Sequence, residues 1–236
     1  MRGSQAWRRD LPPTNPRHAL LDLLATLSFT PGDFVLASGQ RSDYYIDCRI
    51  TTLHAEGGRL SGIVLLDLIR EHFPTAKAIG GLTMGADPLV SNTASASAWE
   101  LADHTEMLAF DPDSISDPEP ALLHGFLVRK AEKTHGTGRR IEGFLKPGAP
   151  VVIVDDVCTT GGSTITAIEA TRDAGMNVIG VLCLVDREQG GRDHIEQALA
   201  EIPATDDSSP PSFVSVFTAK DVRAARKQLD SATGSK

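Results

Sequence analysis

Hydrophobic residues recur at helical spacing in two segments near the N-terminal end of the chain. Leucines between Leu20 and Leu27 form a broad apolar face after Pro16, a residue that suits the first turn of a helix. The segment from about Gly57 to Phe73 has the same spacing and ends before a proline. Between them, two β-forming runs over residues 33–37 and 43–48 flank a Ser-Gly-Gln turn, which predicts a hairpin.

Beyond residue 76 the pattern changes to short apolar strands that alternate with helices. We predict strands at 77–82, 106–110, 126–129, 150–154, 178–185 and 213–217, and helices at 87–102 and 163–174. The run Val151-Val152-Ile153-Val154 is apolar at every position, which is typical of a strand buried on both faces. Alternation of this kind implies right-handed crossovers. The predicted fold class is therefore α/β, with an open, mostly parallel sheet flanked by helices.

The composition excludes several classes of protein. Hydrophobic residues make up 41% and charged residues 23% of the 236, as in ordinary globular proteins, so wholesale disorder is excluded. The formal net charge of −8 argues against a general nucleic-acid binder. Three widely spaced cysteines exclude a disulfide framework and favour a reducing compartment. No stretch approaches the roughly 20 apolar residues of a membrane span. Together with the net charge and the cysteines, this predicts a cytoplasmic protein that contacts neither membrane nor nucleic acid.

The segment from Val151 to Thr164 carries the most informative chemistry. A buried strand ends in Asp155-Asp156, and a Thr-Thr-Gly-Gly-Ser-Thr loop leads into a helix. Backbone amides, hydroxyls and the helix dipole there would attract an anion, at the strand end where α/β sheets bind ligands. The alternative is a polar strand end followed by an ordinary helix cap. The complete order of features favours a site for a ribose 5-phosphate.

This segment resembles the phosphoribosyl-pyrophosphate (PRPP) signature of type I phosphoribosyltransferases. Three further stretches are similar to the orotate phosphoribosyltransferase family: residues 34–39 with 42–47, residues 125–136, and Val185-Asp186-Arg187. The resemblance covers about residues 20–187. It implies transfer of a phosphoribosyl group from PRPP to orotate, giving orotidine 5-phosphate and pyrophosphate in pyrimidine synthesis. It also implies a single type I phosphoribosyltransferase domain over residues 1–236. A small N-terminal hood would lie at about 16–75, and a PRPP-binding core at about 76–220.

The resemblance assigns the cationic segment 129–140 to pyrophosphate. Lys133 would be the principal contact, with Arg129, Lys130 and His135 assisting. In the family this loop reaches the neighbouring subunit's site, which implies a homodimer. On the residues alone, a glycine-hinged cationic loop suits the departure of pyrophosphate, and a solvated charged loop is the alternative.

The resemblance assigns the ribose and its 5-phosphate to the strand end and the loop. Asp155 and Asp156 would hold the ribose hydroxyls and favour an oxocarbenium-like carbon. They are also the candidate protein ligands of Mg²⁺, which would arrive largely on PRPP. The residues assigned to the 5-phosphate are Thr159, Thr160, Gly161, Gly162, Ser163 and Thr164.

Orotate is a planar anion, and Arg187 is expected to clamp its carboxylate bidentately. Ser38, Tyr44 and Tyr45 lie in the segment that the family places against its substrates. For the two tyrosine side chains, a plain role as β-formers on a half-buried hairpin is equally open.

The chain departs from the family at two positions, and two other functions stay open. Some members carry a lysine where this chain has Ala37, and another in the loop where it has Met84-Gly85-Ala86-Asp87, so those roles are not transferred.

The first rival is a phosphoribosyltransferase for another base, against which Arg187 and the cationic segment argue. The second is a non-catalytic regulator that senses PRPP, against which the acidic charge balance argues.

Overall fold

The computed structural model describes residues 15–35, 41–111, 119–130, 140–201 and 210–233. The helices in these ranges are α1 (Pro16–Leu23, followed by a π-helical turn over Leu24–Ser28), α2 (Cys48–Thr52), α3 (Ala55–His72), α4 (Ala86–Phe110), α5 (Gly162–Asp173), α6 (Gly191–Ala200) and α7 (Ala219–Thr233). The strands are β1 (Phe29–Val35), β2 (Arg41–Ile46), β3 (Ala78–Leu82), β4 (His124–Val128), β5 (Ile141–Gly143), β6 (Pro150–Cys158), β7 (Asn177–Asp186) and β8 (Ser212–Thr218).

A six-stranded sheet in the order β5-β4-β3-β6-β7-β8 forms the centre of the fold. All neighbouring strands pair in parallel except β5, which runs antiparallel to β4. β1 and β2 form a separate antiparallel hairpin, as the sequence predicts. The α/β fold class with a mostly parallel sheet is thus confirmed.

The central strand β6 is buried on both faces because successive side chains point to opposite sides of the sheet. Val152 and Val154 belong to one apolar cluster, which includes residues of α1, α3, α4 and α7. Val151 and Ile153 belong to the other, with residues of α5 and α6. All four side chains are at most 1% exposed. This two-sided burial explains the uninterrupted apolar run and leaves the first polar side chains at the carboxyl end of the strand.

The C-terminal helix fastens the N-terminal region to the sheet. The Arg226 side chain donates to the carbonyl of Ala25, and the Arg17 side chain donates to the carbonyl of Val216 in β8. Arg223 forms an ion pair with Asp43 on β2. The ion pair at Asp43 holds the hairpin against α7, and the other two contacts join α1 and the π-helical turn to β8 and α7. Among the described residues, none of the helices combines the length and the hydrophobicity that a membrane-spanning segment needs.

The predicted strand at 106–110 is wrong, because α4 continues through it to Phe110. The segment is apolar enough to resemble a short strand, yet Met107 is 54% and Phe110 93% exposed, so these side chains pack in no sheet. Leucine, alanine, methionine and glutamate are strong helix formers, and nothing interrupts the helix before Asp111. The short helix α2 begins at Cys48, where the second β-run was expected to end, and α6 and α7 were not predicted. The proline-containing segments 111–119 and 203–212, which the sequence predicts to be surface loops, lie mostly outside the described residues.

Candidate active site

The strand order places a crevice at the carboxyl ends of β3 and β6. From this pair the chain proceeds to β4 on one side and to β7 and β8 on the other, so the connections diverge here. Such a switch point is where open α/β sheets bind ligands. A cavity of about 1280 Å³ opens at this position, and it is bordered by the ends of both strands and by the hairpin.

Many of the residues predicted from the sequence meet in this cavity. Those that line it are Tyr45, Arg129, Lys130, Asp155, Asp156, Thr159, Thr160, Ser163 and Arg187. Ser38, Lys133 and His135 lie outside the described residues, so their assigned roles stay predictions. The cavity therefore brings together the acidic strand end, the phosphate-type loop at 159–164 and Arg187. The family resemblance assigned these to the ribose, the 5-phosphate and the orotate carboxylate.

Two hydrogen bonds hold the Asp155 carboxylate in place at the edge of the cavity. The Thr164 hydroxyl donates to one of its carboxylate oxygens at 2.6 Å, and the Asp156 amide donates to the other at 3.0 Å. Its residue is only 8% exposed, and burial raises the pKa of the Asp155 carboxyl well above the ordinary value. Burial also raises the pKa of Asp156. A ligand that brings hydroxyl donors or positive charge would stabilise the ionised pair.

The loop after β6 forms an uncapped helix N-terminus. Gly161 has a φ of 83°, and a Cβ there would lie 2.9 Å from the carbonyl oxygen of Gly191, so glycine is required on both grounds. No side chain among the described residues caps the first turn of α5. The His194 ring nitrogen lies 3.0 Å from the carbonyl oxygen of Thr160 and steadies the loop from α6. Free amides and the positive end of the helix dipole thus face the cavity, as an anion site requires.

Arg187 is buried at the hairpin end of the cavity. The residue is 6% exposed, and its Nη2 donates to the Ser42 hydroxyl at 3.2 Å. Its guanidinium lies 4.8 Å from the centroid of the Tyr44 ring, which is itself stacked on Phe29. The Nε–H of Arg187 is buried without an acceptor in the described structure. Since a buried donor without a partner is costly in free energy, this geometry favours the binding of an anionic ligand to the guanidinium.

The two tyrosines have different surroundings. Tyr45 is 42% exposed and lines the cavity, whereas Tyr44 does not line it and its ring contacts the guanidinium groups of Arg187 and Arg223. Tyr44 therefore orients the arginine from the protein side, and Tyr45 is the one that is open to a ligand.

The turn between β3 and α4 borders the cavity. It includes a cis peptide between Thr83 and Met84, and the Thr83 amide donates to the carbonyl of Val128 at 2.9 Å. At Gly85 a Cβ would lie 2.2 Å from an Asp156 carboxylate oxygen. Only glycine lets the backbone approach the carboxylate this closely.

Sequence reasoning missed four charged residues that line the cavity: Asp47, Arg49, Asp87 and Glu142. Asp47 caps α2, and its carboxylate also pairs with Arg49. An Asp-x-Arg sequence across the end of the predicted β-run 43–48 was the available signal. It carries weight only once α2 is known to begin at Cys48 and to face the sheet.

The described residues contain no group of three metal-ligating side chains placed to hold an ion. Carboxylate oxygens are nevertheless the ligands that Mg²⁺ prefers, and Asp155 and Asp156 supply them at the cavity. These two residues fit a magnesium ion that draws its other ligands from a phosphorylated substrate.

Together, the fold and the cavity define a phosphoribosyltransferase. In agreement, residues 126–207 match the model of the phosphoribosyl transferase domain. Orotate phosphoribosyltransferase of Synechocystis sp. is 39% identical over 90% of this chain and 91% of that protein. The enzyme of the same name from Nostoc sp. is 37% identical over 96% of this chain and 94% of that protein. The chain belongs to the orotate phosphoribosyltransferase family.

A solved structure shows the same fold. It is the crystal structure of Mycobacterium tuberculosis orotate phosphoribosyltransferase in complex with PRPP, which has a TM-score of 0.61 and 28% sequence identity to this chain. The alignment covers 89% of this chain and 99% of that one. The resemblance inferred from the sequence motifs is thus confirmed over almost the whole chain.

Proposed function

We propose that this protein transfers the 5-phosphoribosyl group from PRPP to orotate, giving orotidine 5-phosphate and pyrophosphate. The observation that carries this proposal is Arg187, a buried guanidinium whose Nε–H has no acceptor among the described residues, in the cavity that also contains the acidic strand end. A neutral base has no carboxylate to pair with this arginine, whereas orotate has one. The name that the relatives share, orotate phosphoribosyltransferase, and the PRPP bound to the Mycobacterium tuberculosis enzyme support both substrates.

The geometry favours a dissociative displacement without a covalent enzyme intermediate. The loop at 159–164 would hold the 5-phosphate at the N-terminus of α5. Asp155 and Asp156 would accept hydrogen bonds from the ribose hydroxyls and stabilise positive charge on the anomeric carbon as its bond to pyrophosphate breaks. Arg187 would hold the orotate carboxylate so that a ring nitrogen forms the new bond to that carbon. Mg²⁺, if bound with PRPP, would neutralise charge on the pyrophosphate.

The proposal extends to assembly and location. A homodimer in which the 129–140 segment serves the partner's site follows from the family resemblance. Arg129 and Lys130, the described start of this segment, line the cavity beside β3. The three free, buried cysteines support a reducing compartment such as the cytoplasm.

The test is the ultraviolet loss of orotate on mixing protein, PRPP and Mg²⁺, with adenine, hypoxanthine and uracil in parallel. We expect Mg²⁺-dependent consumption of orotate alone. Turnover of another base only would overturn the choice of substrate and keep the phosphoribosyl transfer. If PRPP binds and no base reacts, the protein is a sensor of PRPP.

Lys133→Ala is expected to lower turnover by at least about 10²-fold, because it removes a cation proposed to neutralise the departing pyrophosphate. The thermal unfolding midpoint should change little if Lys133 lies on a surface loop. Steady-state kinetics and thermal melts of the same preparations check both halves. Lys227→Ala, at an exposed position on α7, is the control. A loss of stability as large as the loss of rate would show that Lys133 is structural.

A further inference from the structure

Arg49 stands at the start of α2 with its guanidinium held in one orientation. Its Nε donates to one oxygen of Asp47 at 2.8 Å, and its Nη2 donates to the other oxygen at 2.8 Å. Asp47 also accepts the Arg49 backbone amide at 3.1 Å and so caps the helix. The arginine is therefore anchored at both its main chain and its side chain.

This anchoring leaves part of the guanidinium available. A guanidinium carries five N–H donors, and two of them are used by Asp47. No other acceptor among the described residues receives a hydrogen bond from this side chain, which is 42% exposed and lines the cavity. Because its direction is already set, Arg49 would lose little conformational entropy on binding an anion.

The charge of Arg49 acts on the acidic strand end. Arg49 lies close enough to Asp156 for their opposite charges to attract each other. Asp156 also lies against the turn at Gly85, which borders the same cavity. Arg49, Asp156 and this turn therefore form one side of the cavity.

The shape of PRPP points to this side of the cavity as the binding position of its pyrophosphate. Its 5-phosphate and its pyrophosphate sit on opposite sides of the ribose ring. With the 5-phosphate at the N-terminus of α5 and the ribose hydroxyls on Asp155 and Asp156, the pyrophosphate extends away from α5. A pyrophosphate facing two carboxylates needs a cation beside it, and Arg49 is placed to supply one.

We propose that Arg49, oriented by Asp47, is a pyrophosphate-binding residue of this site. The inference rests on the proposed function for the placing of PRPP. It predicts that the arginine contributes to binding of the pyrophosphate end and contributes nothing at the 5-phosphate end.

The experiment measures binding without turnover. Calorimetric titrations with inorganic pyrophosphate plus Mg²⁺, and separately with ribose 5-phosphate, compare the wild-type protein with Arg49→Ala and Arg49→Lys. We expect Arg49→Ala to weaken pyrophosphate binding by about 10- to 100-fold, the usual effect of losing a hydrogen bond between charged groups. The pyrophosphate affinity of Arg49→Lys should lie between those of the wild-type protein and Arg49→Ala. Ribose 5-phosphate binding should stay within about twofold in every variant.

Arg59→Ala is the matched control. Arg59 is also paired through two nitrogens to a nearby carboxylate, that of Glu56, but it lies on the exposed face of α3 away from the cavity. Its replacement should alter neither titration. Unchanged pyrophosphate binding in Arg49→Ala would overturn the inference, as would an equal loss with both ligands or wild-type protein that binds no pyrophosphate. Because no base is present, failure to consume orotate would leave this result unaffected.

Discussion

Asp155→Asn is expected to abolish most of the activity while making the protein more stable. The charge of Asp155 is needed to stabilise positive charge on the ribose, so its loss should lower kcat by about 10²- to 10³-fold. The same charge is unfavourable in the unliganded fold, because the residue is only 8% exposed and burial raises the pKa of its carboxyl. Asparagine has nearly the same shape and no charge, so the free energy of unfolding near neutral pH should rise by about 1 kcal/mol.

The pH dependence of stability checks the cause. A carboxyl whose folded pKa is above the ordinary 3.8 holds its proton longer in the native state than in the unfolded state. The free energy of unfolding must therefore fall as the pH rises from 3.8 to the higher pKa of the folded state, and it stays lower above that pH. Denaturant titrations over this interval should show a shallower fall in Asp155→Asn than in the wild-type protein.

Asp173→Asn provides the comparison for this prediction. Asp173 is an exposed carboxylate at the far end of α5, so neither the rate nor the pH dependence should change. Reduced stability of Asp155→Asn at neutral pH would contradict the interpretation. It would mean that the hydrogen bond from Thr164 outweighs the burial of the charge.

Arg187→Ala is expected to raise the KM for orotate by about 10²-fold or more and to leave the KM for PRPP nearly unchanged. Removing one partner of a buried, hydrogen-bonded charge pair commonly costs 2–5 kcal/mol. The effect should be confined to the base, because Arg187 lies at the hairpin end of the cavity and contacts Ser42 and Tyr44. Arg187→Lys should recover only part of the affinity, since it keeps the charge and loses the planar fork.

The discrimination between orotate and uracil gives a readout that a structural role would not change. The wild-type protein should prefer orotate strongly, and Arg187→Ala should lose most of that preference because no carboxylate partner is left. Arg192→Ala is the matched control. Arg192 follows the same strand and lies 4.6 Å from the Phe213 ring centroid, but it does not line the cavity. An equal rise of KM for both substrates in Arg187→Ala would count against the carboxylate clamp.

The local parts of the site could be read from the sequence. The apolar run before Asp155 is the pattern of a strand buried on both sides, and a strand of this kind in a parallel sheet places its next polar residues at a ligand-binding edge. The glycines that follow allow the turn into α5. The resemblance to the family then assigned Arg187 to the orotate carboxylate, and the structure places its buried guanidinium in the cavity.

The orientation of Arg187 could not be predicted, because its partners are remote in sequence. Ser42 lies 145 residues away along the chain, and it reaches the guanidinium only because α7 holds the hairpin over the sheet. The same holds for Arg49, which pattern analysis placed beyond the end of a β-run. It faces Asp156 because the chain turns into α2 at Cys48.

The error at 106–110 has the opposite origin. A short apolar run fits a strand or a helix equally well on its own, and the choice depends on whether the preceding helix is interrupted. In α4 it is not interrupted.

By itself, the sequence determined the fold class, the acidic strand end, the phosphate-type loop and the family. Each of these rests on periodicity, backbone geometry or residue order within short stretches of the sequence. The tertiary structure alone decided which charged side chains share the cavity and how they point. That outcome depends on packing between segments far apart in the chain, where the burial of Asp155 and the fastening of the hairpin by α7 set the local charge and geometry.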